Sequence, residues 1–431
     1  MQYIQVDHLG AATWESPLAD SKQYVSEETW IRHEVEVHRD RPDIDQGVAF
    51  QKAGPRRKIF FDPSRCRAAI VTCGGLAPGL NNVIRSIVVE LHFHYQVPTI
   101  LGIPKGFLGL NPASGLHPIE LTHDLVDDIH TEGGTILGSS RGRQDTEVML
   151  DYMQQQGINQ LYCIGGDGTM RAATELADGA RKRNLPLAII GIPKTIDNDV
   201  YYCDRTFGFQ SAIDAARDVL EVAHVEAKAA ERGIGLVKLM GRAAGFIACG
   251  ATISSQKVNF TLIPENVFDL DGPHGFLAVL EQRMDQRDHA VIAVAEGAGQ
   301  RYFKDLDLGT DASGNRRFAD IGTFLKSRIS SHFNEVNKPV EVKYIDPSYI
   351  VRGIPANSED SILCDKLARA AVHAAMAGKT SCMTSFMNNR IAYVPLQQAT
   401  GRKKTVDLTG SLWQSVLAST GQPAQFLPDA S

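Results

Sequence analysis

Short, continuous apolar runs, each ending at a glycine or proline, constrain this chain more than any other feature. Ala68-Ala69-Ile70-Val71-Thr72 leads into Cys73-Gly74-Gly75, and Leu161-Tyr162-Cys163-Ile164 into Gly165-Gly166. The run 187–192 ends at Pro193, the run 234–239 at Met240-Gly241, and the run 290–295 at Glu296-Gly297. A strand with one wet face alternates apolar and polar residues. These runs do not, so both of their faces must be covered, as in parallel sheets flanked by helices. Helical spacing follows the first run, with Val83, Ile84, Ile87, Val88 and Leu91 on one stripe, and a helix is expected through 171–176. Repeated strand–turn–helix units predict an α/β chain of two Rossmann-like, doubly wound domains with mostly parallel sheets. Such sheets bind ligands beyond the carboxyl ends of their strands, which is where the glycine clusters fall.

The length of 431 residues suits two or three domains, and 43% hydrophobic with 22% charged residues is enough to build large cores. A formal charge of -6 gives no basic surface for nucleic acid. It leaves room for anionic ligands wherever Arg, Lys and backbone N–H groups concentrate. The seven cysteines, an odd number with no C-x-x-C pair, are expected as reduced core thiols. No basic leader followed by an apolar stretch opens the chain, and no run of about 18 apolar residues occurs. A cytoplasmic protein with no membrane partner is expected. Residues 1–65 read differently, with the charged strings HEVEVHRDRPD and GPRRK. They are expected to be an N-terminal extension, either packed on the body or a neighbouring subunit, or a partly ordered tail. The remainder divides into 66–208 with 351–401, and 209–350 with 402–431.

Four loops carry chemistry. The segment 73–81 (CGGLAPGLN) joins a strand to a helix, where glycines let an anion approach the free N–H groups of the helix start. Gly165-Gly166-Asp167-Gly168-Thr169 adds a carboxylate, and Mg²⁺ on phosphates wants one or two carboxylates and little bulk. There Asp167 reads either as a metal ligand or as the cap of the following helix. The segment 133–142 (GGTILGSSRG) sets Arg141 among small residues, as a phosphate contact or as a surface arginine. Pro193-Lys194-Thr195-Ile196-Asp197-Asn198-Asp199 packs a cation, a hydroxyl and two carboxylates into one turn. Phosphoryl transfer to an alcohol needs such a set: a base for the hydroxyl, and positive charge for the moving group. Gly378-Lys379-Thr380 imitates the end of a P-loop, but His373 stands where the earlier glycine belongs, so the fragment reads as a helix C-terminus. His92 and His94, two apart on a helix, do not make a metal pair.

With these motifs in order, and with LMGR, IPE, AEG and KYIDPSYIVR, the chain resembles the phosphofructokinase family from about residue 67 to 402. The extension, Lys194 and KYIDPSY are similar to the branch holding plant and trypanosomatid ATP enzymes and many pyrophosphate enzymes. The resemblance implies an ATP/Mg²⁺-binding domain (66–208 with 351–401) and a fructose 6-phosphate-binding domain. It implies Asp197 as the base on the sugar 1-hydroxyl, with Lys194 and Thr195 beside the transferring phosphate, and Asp167 as the Mg²⁺ ligand. Gly75, Arg141, Gly142, Gly166, Asp167, Gly168 and Thr169 match nucleotide contacts. Thr195, Ile196, Asp197, Met240, Gly241, Arg242, Glu265, Lys343, Tyr349, Ile350, Val351 and Arg352 match sugar-phosphate contacts. A homo-oligomer is implied, a homotetramer ahead of a dimer, with allosteric control. Short bacterial members have glycine at Lys194, and lend an arginine between subunits where this chain has Gly233.

The donor turns on Gly168. The similar pyrophosphate enzymes carry GGDD, whose second aspartate sets bulk and charge where the ATP α-phosphate would lie. Gly168 points to ATP, while Lys194 is usual in pyrophosphate enzymes. A pyrophosphate enzyme and a non-catalytic regulatory subunit are the alternatives. A lipid or NAD kinase, which shares GGDGT, is opposed by PKTIDND, LMGR and KYIDPSYIVR.

Overall fold

The computed structural model describes residues 1–18, 24–36, 47–310 and 317–428. They fall into two compact units. The first comprises Met1–Thr195, Val200–Gly208 and Gly353–Arg402. The second comprises Ile196–Asp199, Phe209–Arg352 and Lys403–Ser431. The chain changes unit directly after Thr195, inside the motif singled out above.

The first unit is built on a ten-stranded sheet. At its centre Ala188–Pro193, Gln160–Gly165, Arg67–Thr72 and Thr99–Ile103 lie side by side and parallel. Each strand buries both faces, which is why its apolar run is continuous. Ala68, Ile70, Tyr162, Ile164, Ile190 and Ile192 enter the core on one side. Ala69, Val71, Leu161, Cys163 and Ile189 enter the core on the other. Chain order and spatial order diverge at Arg67–Thr72. The next strand lies on one side of it, and Gln160–Gly165 returns on the other. The carboxyl ends of these two strands therefore frame a topological switch point, the place where open α/β sheets leave a crevice.

The sheet is mostly parallel, as expected, with an antiparallel part toward one edge. Cys382–Met387 pairs antiparallel with Arg390–Pro395, which pairs antiparallel with Val48–Lys52. Gln2–Ile4 and Trp30–Arg32 extend that edge. The described part of residues 1–65 is thus woven into the first unit rather than set apart. Residues 37–43 of the HEVEVHRDRPD string lie outside the described residues. Lys379–Thr380 is not a plain helix end either. The helix Ser358–Met376 stops before Gly378 (φ 76°), and Lys379–Thr380 then pairs antiparallel with Asp7–His8. Lys379 is fully buried, donating to Glu27 (2.9 Å) and Gln51 (2.8 Å).

Helix Leu80–Val89 starts at Gly79, whose φ of 101° suits glycine. A side chain there would bring a Cβ within 2.6 Å of the Cys364 sulfur on helix Ser358–Met376. The helical stripe continues past Val89, but in a wider π turn over Glu90–His94.

The second unit holds a four-stranded parallel sheet in the order Phe260–Leu262, His289–Ala295, Gly233–Leu239, Glu341–Ile345. Helices Phe276–Arg287 and Ile321–Glu335 bury Leu277, Leu280, Leu325 and Ile329 with Ile234, Leu236 and Ile292 of its strands. The Asp320 carboxylate caps Ile321–Glu335, accepting from Gly322 N (3.0 Å) and Thr323 N (3.3 Å). All seven cysteines are free and buried, as their apolar settings predict.

Candidate active site

In the first unit, backbone and hydroxyl hydrogen bonds gather three of the glycine loops at the switch point. Thr72 Oγ1 donates to Gly138 O (2.6 Å), Gly74 N to Ser140 O (3.1 Å) and Ser139 Oγ to Gly74 O (2.5 Å). The 133–142 segment is therefore stitched along the first loop, and it carries the exposed Arg141 and Gly142. Cys73 N donates to Ile164 O (2.9 Å), which joins the first loop to the strand before Gly165.

Helix Asp167–Lys182 begins at Gly166, with no side-chain cap. The Asp167 carboxylate is thus not the cap that one reading gave it. It sits on the first helical residue, a third exposed, 3.3 Å from Arg171. Gly168 follows, and a Cβ added there would meet nothing within 4 Å. Thr169 is buried, its amide closing the turn onto Gly166 O (2.9 Å). Lys194 is buried to 5% exposure, with its amide on Gly165 O (2.9 Å) and its ammonium donating to Gly75 O. Thr206 Oγ1 holds the Thr195 carbonyl at 2.7 Å.

In the second unit the strand ends bring together the other set. Asp197 Oδ2 accepts from Arg242 N at 3.5 Å, while Oδ1 is sealed from solvent. Desolvation, then the nearby Asp199 and Glu296 carboxylates, push the Asp197 carboxyl up to about 7, against the Arg242 amide and Lys403. Glu296 is itself raised by burial, with Arg242 and Lys238 opposing. Gly241 (φ 133°) accepts from Gly297 N (3.1 Å), so the Met240-Gly241-Arg242 turn is laced to the end of His289–Ala295. The Arg242 guanidinium lies 4.6 Å over the Phe318 ring.

Not every expected sugar-phosphate residue presents a side chain. Ile196 and Val351 are buried, at 5% and 1% exposure, so neither presents its side chain to a ligand. The Glu265 carboxylate takes three backbone bonds, from Gly245 N (3.0 and 3.1 Å) and Val406 N (2.8 Å), and so braces the loops around it. Lys343 faces Glu341 at 2.5 Å on the strand Glu341–Ile345. Tyr349 and Ile350 are exposed, and Arg352 sits 4.8 Å over the Tyr349 ring. Sequence reasoning gave no role to Glu296, Asp199 or Lys403, although AEG and the second PKTIDND carboxylate marked the first two. Nothing in the local sequence marks Lys403, which reaches Asp199 from more than 200 positions along the chain.

The chain is similar to known proteins over most of its length. The phosphofructokinase family model matches residues 67–375. The ATP-dependent 6-phosphofructokinase of Borreliella burgdorferi is 45% identical over 97% of this chain and 97% of its own. That of Amycolatopsis methanolica is 46% identical over 98% and 95%. That of Trypanosoma cruzi is 39% identical over 96% and 86%. Among solved structures, the pyrophosphate-dependent phosphofructokinase of Marinobacter aquaeolei superposes with a TM-score of 0.69 at 18% identity, covering 85% of this chain and 94% of that one. Pichia pastoris phosphofructokinase gives 0.63 at 22%, covering 88% and 42%. These structures share the fold, and the relatives are similar in sequence over 96–98% of the chain: the chain belongs to the phosphofructokinase family.

Proposed function

We propose that the chain is an ATP-dependent 6-phosphofructokinase, moving the ATP γ-phosphoryl group to the 1-hydroxyl of fructose 6-phosphate. The observation that carries this reading is Asp197. It is a carboxyl at a strand end, desolvated and poised near neutrality, which is what a general base for an alcohol requires. Asp197 takes the proton from the 1-hydroxyl as that oxygen bonds to phosphorus and ADP leaves. The transfer is direct, with no covalent phosphoenzyme. Lys194, three residues earlier in the chain, offsets charge on the moving group together with backbone N–H groups. Arg242, Tyr349 and Arg352 bind the sugar phosphate, while Gly75, Arg141, Gly142, Gly166, Gly168 and Thr169 receive the nucleotide.

Mg²⁺ fits the first unit. Among the described residues no three His, Cys, Asp or Glu side chains gather to cage a metal. A lone carboxylate beside open space suits an ion that arrives on phosphates. Asp167 would hold it, and when bound it would neutralise phosphate charge.

The empty volume beside Gly168 favours ATP. Lys194 favours the second reading, pyrophosphate. A coupled assay with fructose 6-phosphate, offering ATP and pyrophosphate in turn, decides. Turnover with pyrophosphate alone would overturn the ATP reading, and none with either donor would leave a regulatory subunit. The enzyme acts in the cytoplasm as a homotetramer on this reading. Among the described residues no helix is long and apolar enough to cross a membrane. Sedimentation equilibrium of the purified chain tests the assembly, and a monomer would refute it.

A further inference from the structure

We propose that Lys403 is a positioning residue for phosphoryl transfer: its ammonium neutralises Asp199 and, with the Lys404 amide, fixes the Ile196–Asp199 segment that carries Asp197. The inference rests on the reading of Asp197 as the base.

The geometry is specific to this place in the chain. Ile196–Asp199 belongs to the second unit, as does everything from Lys403 on. Asp199 is nearly buried, with a side chain 7% exposed, and Lys403 pairs with its Oδ2. Lys404 N donates to Asp199 O at 3.0 Å, so side chain and backbone of Asp199 are both held by consecutive residues. Three positions on, Val406 N donates to Glu265 Oε1 (2.8 Å), anchoring the same strap to the loop after Phe260–Leu262. The Asn198 backbone is left-handed (φ 56°). A segment in that conformation needs fixing at its ends to keep Asp197 in one orientation.

Charge follows from the same contacts. The groups that act electrostatically on Asp197 include Asp199 on its own segment, Glu296 after His289–Ala295, the Arg242 amide after Gly233–Leu239, and Lys403 on the strap. Asp199 and Glu296 favour the protonated base, while Lys403 and the Arg242 amide favour the ionised one. The base must be ionised to accept a proton, so the Lys403 ammonium acts in the productive direction. Lys404 differs from its neighbour, since its ammonium lies 5.2 Å over the Phe246 ring.

The test is the pH dependence of kcat/KM for fructose 6-phosphate in the full chain, alongside kcat and both KM values. Lys403→Met is expected to lower kcat by about tenfold or more. Both KM values should stay within about threefold, and the acid limb should move to higher pH. Lys403→Arg should restore most of both. Asp199→Asn, which removes the opposing charge, should move the acid limb to lower pH, and it supplies the test even where Lys403→Met does not fold. Lys404→Met should leave the limb in place. Wild-type kcat and limb in Lys403→Met, an unmoved limb in Asp199→Asn, or an equal shift in Lys404→Met would each overturn the proposal. Failure of the base reading is distinguishable, because it alone is contradicted by near-normal turnover of Asp197→Asn.

Discussion

The Lys194 ammonium donates to the Gly75 carbonyl, and the strand lying between their two strands is the one that ends at Gly165-Gly166. Lys194 follows Ala188–Pro193, and Gly75 follows Arg67–Thr72, with Gln160–Gly165 between them. The lysine side chain therefore arches across the middle strand's end. A Cβ at Gly74 would come within 3.5 Å of its Nζ, and one at Gly166 within 3.4 Å of its carbonyl. Both are ordinary contact distances, so it is the left-handed backbone of Gly74 (φ 84°), rather than room for the ammonium, that calls for glycine there.

Lys194→Met keeps the length of the side chain and removes the charge. It is expected to lower kcat by about 10²–10³-fold, the scale for losing one donor to a developing charge. KM for the sugar should change little, since the interaction strengthens in the transition state. Steady-state kinetics check this, and an unchanged kcat would exclude Lys194 from the chemistry.

Asp197→Asn is expected to lower kcat by about 10²–10⁴-fold with similar sugar affinity. The wild type should lose kcat/KM as pH falls through about 7, because the base becomes protonated. Stability should move the opposite way. A carboxyl whose folded value is raised favours the fold below its unfolded value, and loses that advantage as pH rises through the folded one. Asp197→Asn should therefore raise Tm at pH 8, by up to a few kcal/mol of stability, and give no gain at pH 4. Thermal melting across pH checks the sign.

Gly168→Asp separates donor recognition from folding. A Cβ added there meets no neighbour within 4 Å, and the position lies in the first turn of Asp167–Lys182, where negative charge suits the helix dipole. The variant should melt within a few degrees of wild type and lose ATP turnover. A folded variant with normal ATP kinetics would break the argument that empty volume admits the nucleotide.

Glu27→Ala and Lys379→Met are expected to differ although they break the same pair. Lys379 is sealed from solvent and its ammonium is disfavoured by burial, whereas Glu27 is half exposed and also pairs with Arg56 at 2.7 Å. Removing the carboxylate takes the acidic partner from two buried cations, Lys379 and Arg56, at a cost of about 3 kcal/mol. Replacing the lysine by an apolar side chain of similar size removes the buried charge itself and should cost under about 1.5 kcal/mol. Chemical denaturation of both variants gives the order, and the reverse order would show that Glu27 is not what holds the buried ammonium.

Much of the site was legible because it is local. Asp167-Gly168 and Lys194–Asp197 each follow a strand whose continuous apolar run announces it, so the residues at its carboxyl end could be read directly. The glycine at 168 could be weighed from charge and bulk alone. Lys379 was read as a helix end because the helix before it does stop there. Its partners, the half-exposed Glu27 and the buried Gln51, lie more than 300 positions away, and no local pattern reports them. Val351 was read with its exposed neighbours Tyr349 and Ile350, yet its side chain turns inward, because a helical turn over Ile350–Gly353 sends successive residues to different sides.

The sequence by itself determined the class of fold and the family resemblance, and it singled out the glycine loops, Asp197, Lys194 and Gly168 as candidates for the chemistry. Those depend on residue type and short spacing, which the linear chain displays. The tertiary structure alone decided which side chains turn inward, which carboxylates brace backbone amides, and how far Asp197 is raised. It also decided that Lys403 reaches Asp199. Burial and Coulomb interaction depend on distance in space, and folding sets that distance between residues the chain keeps far apart.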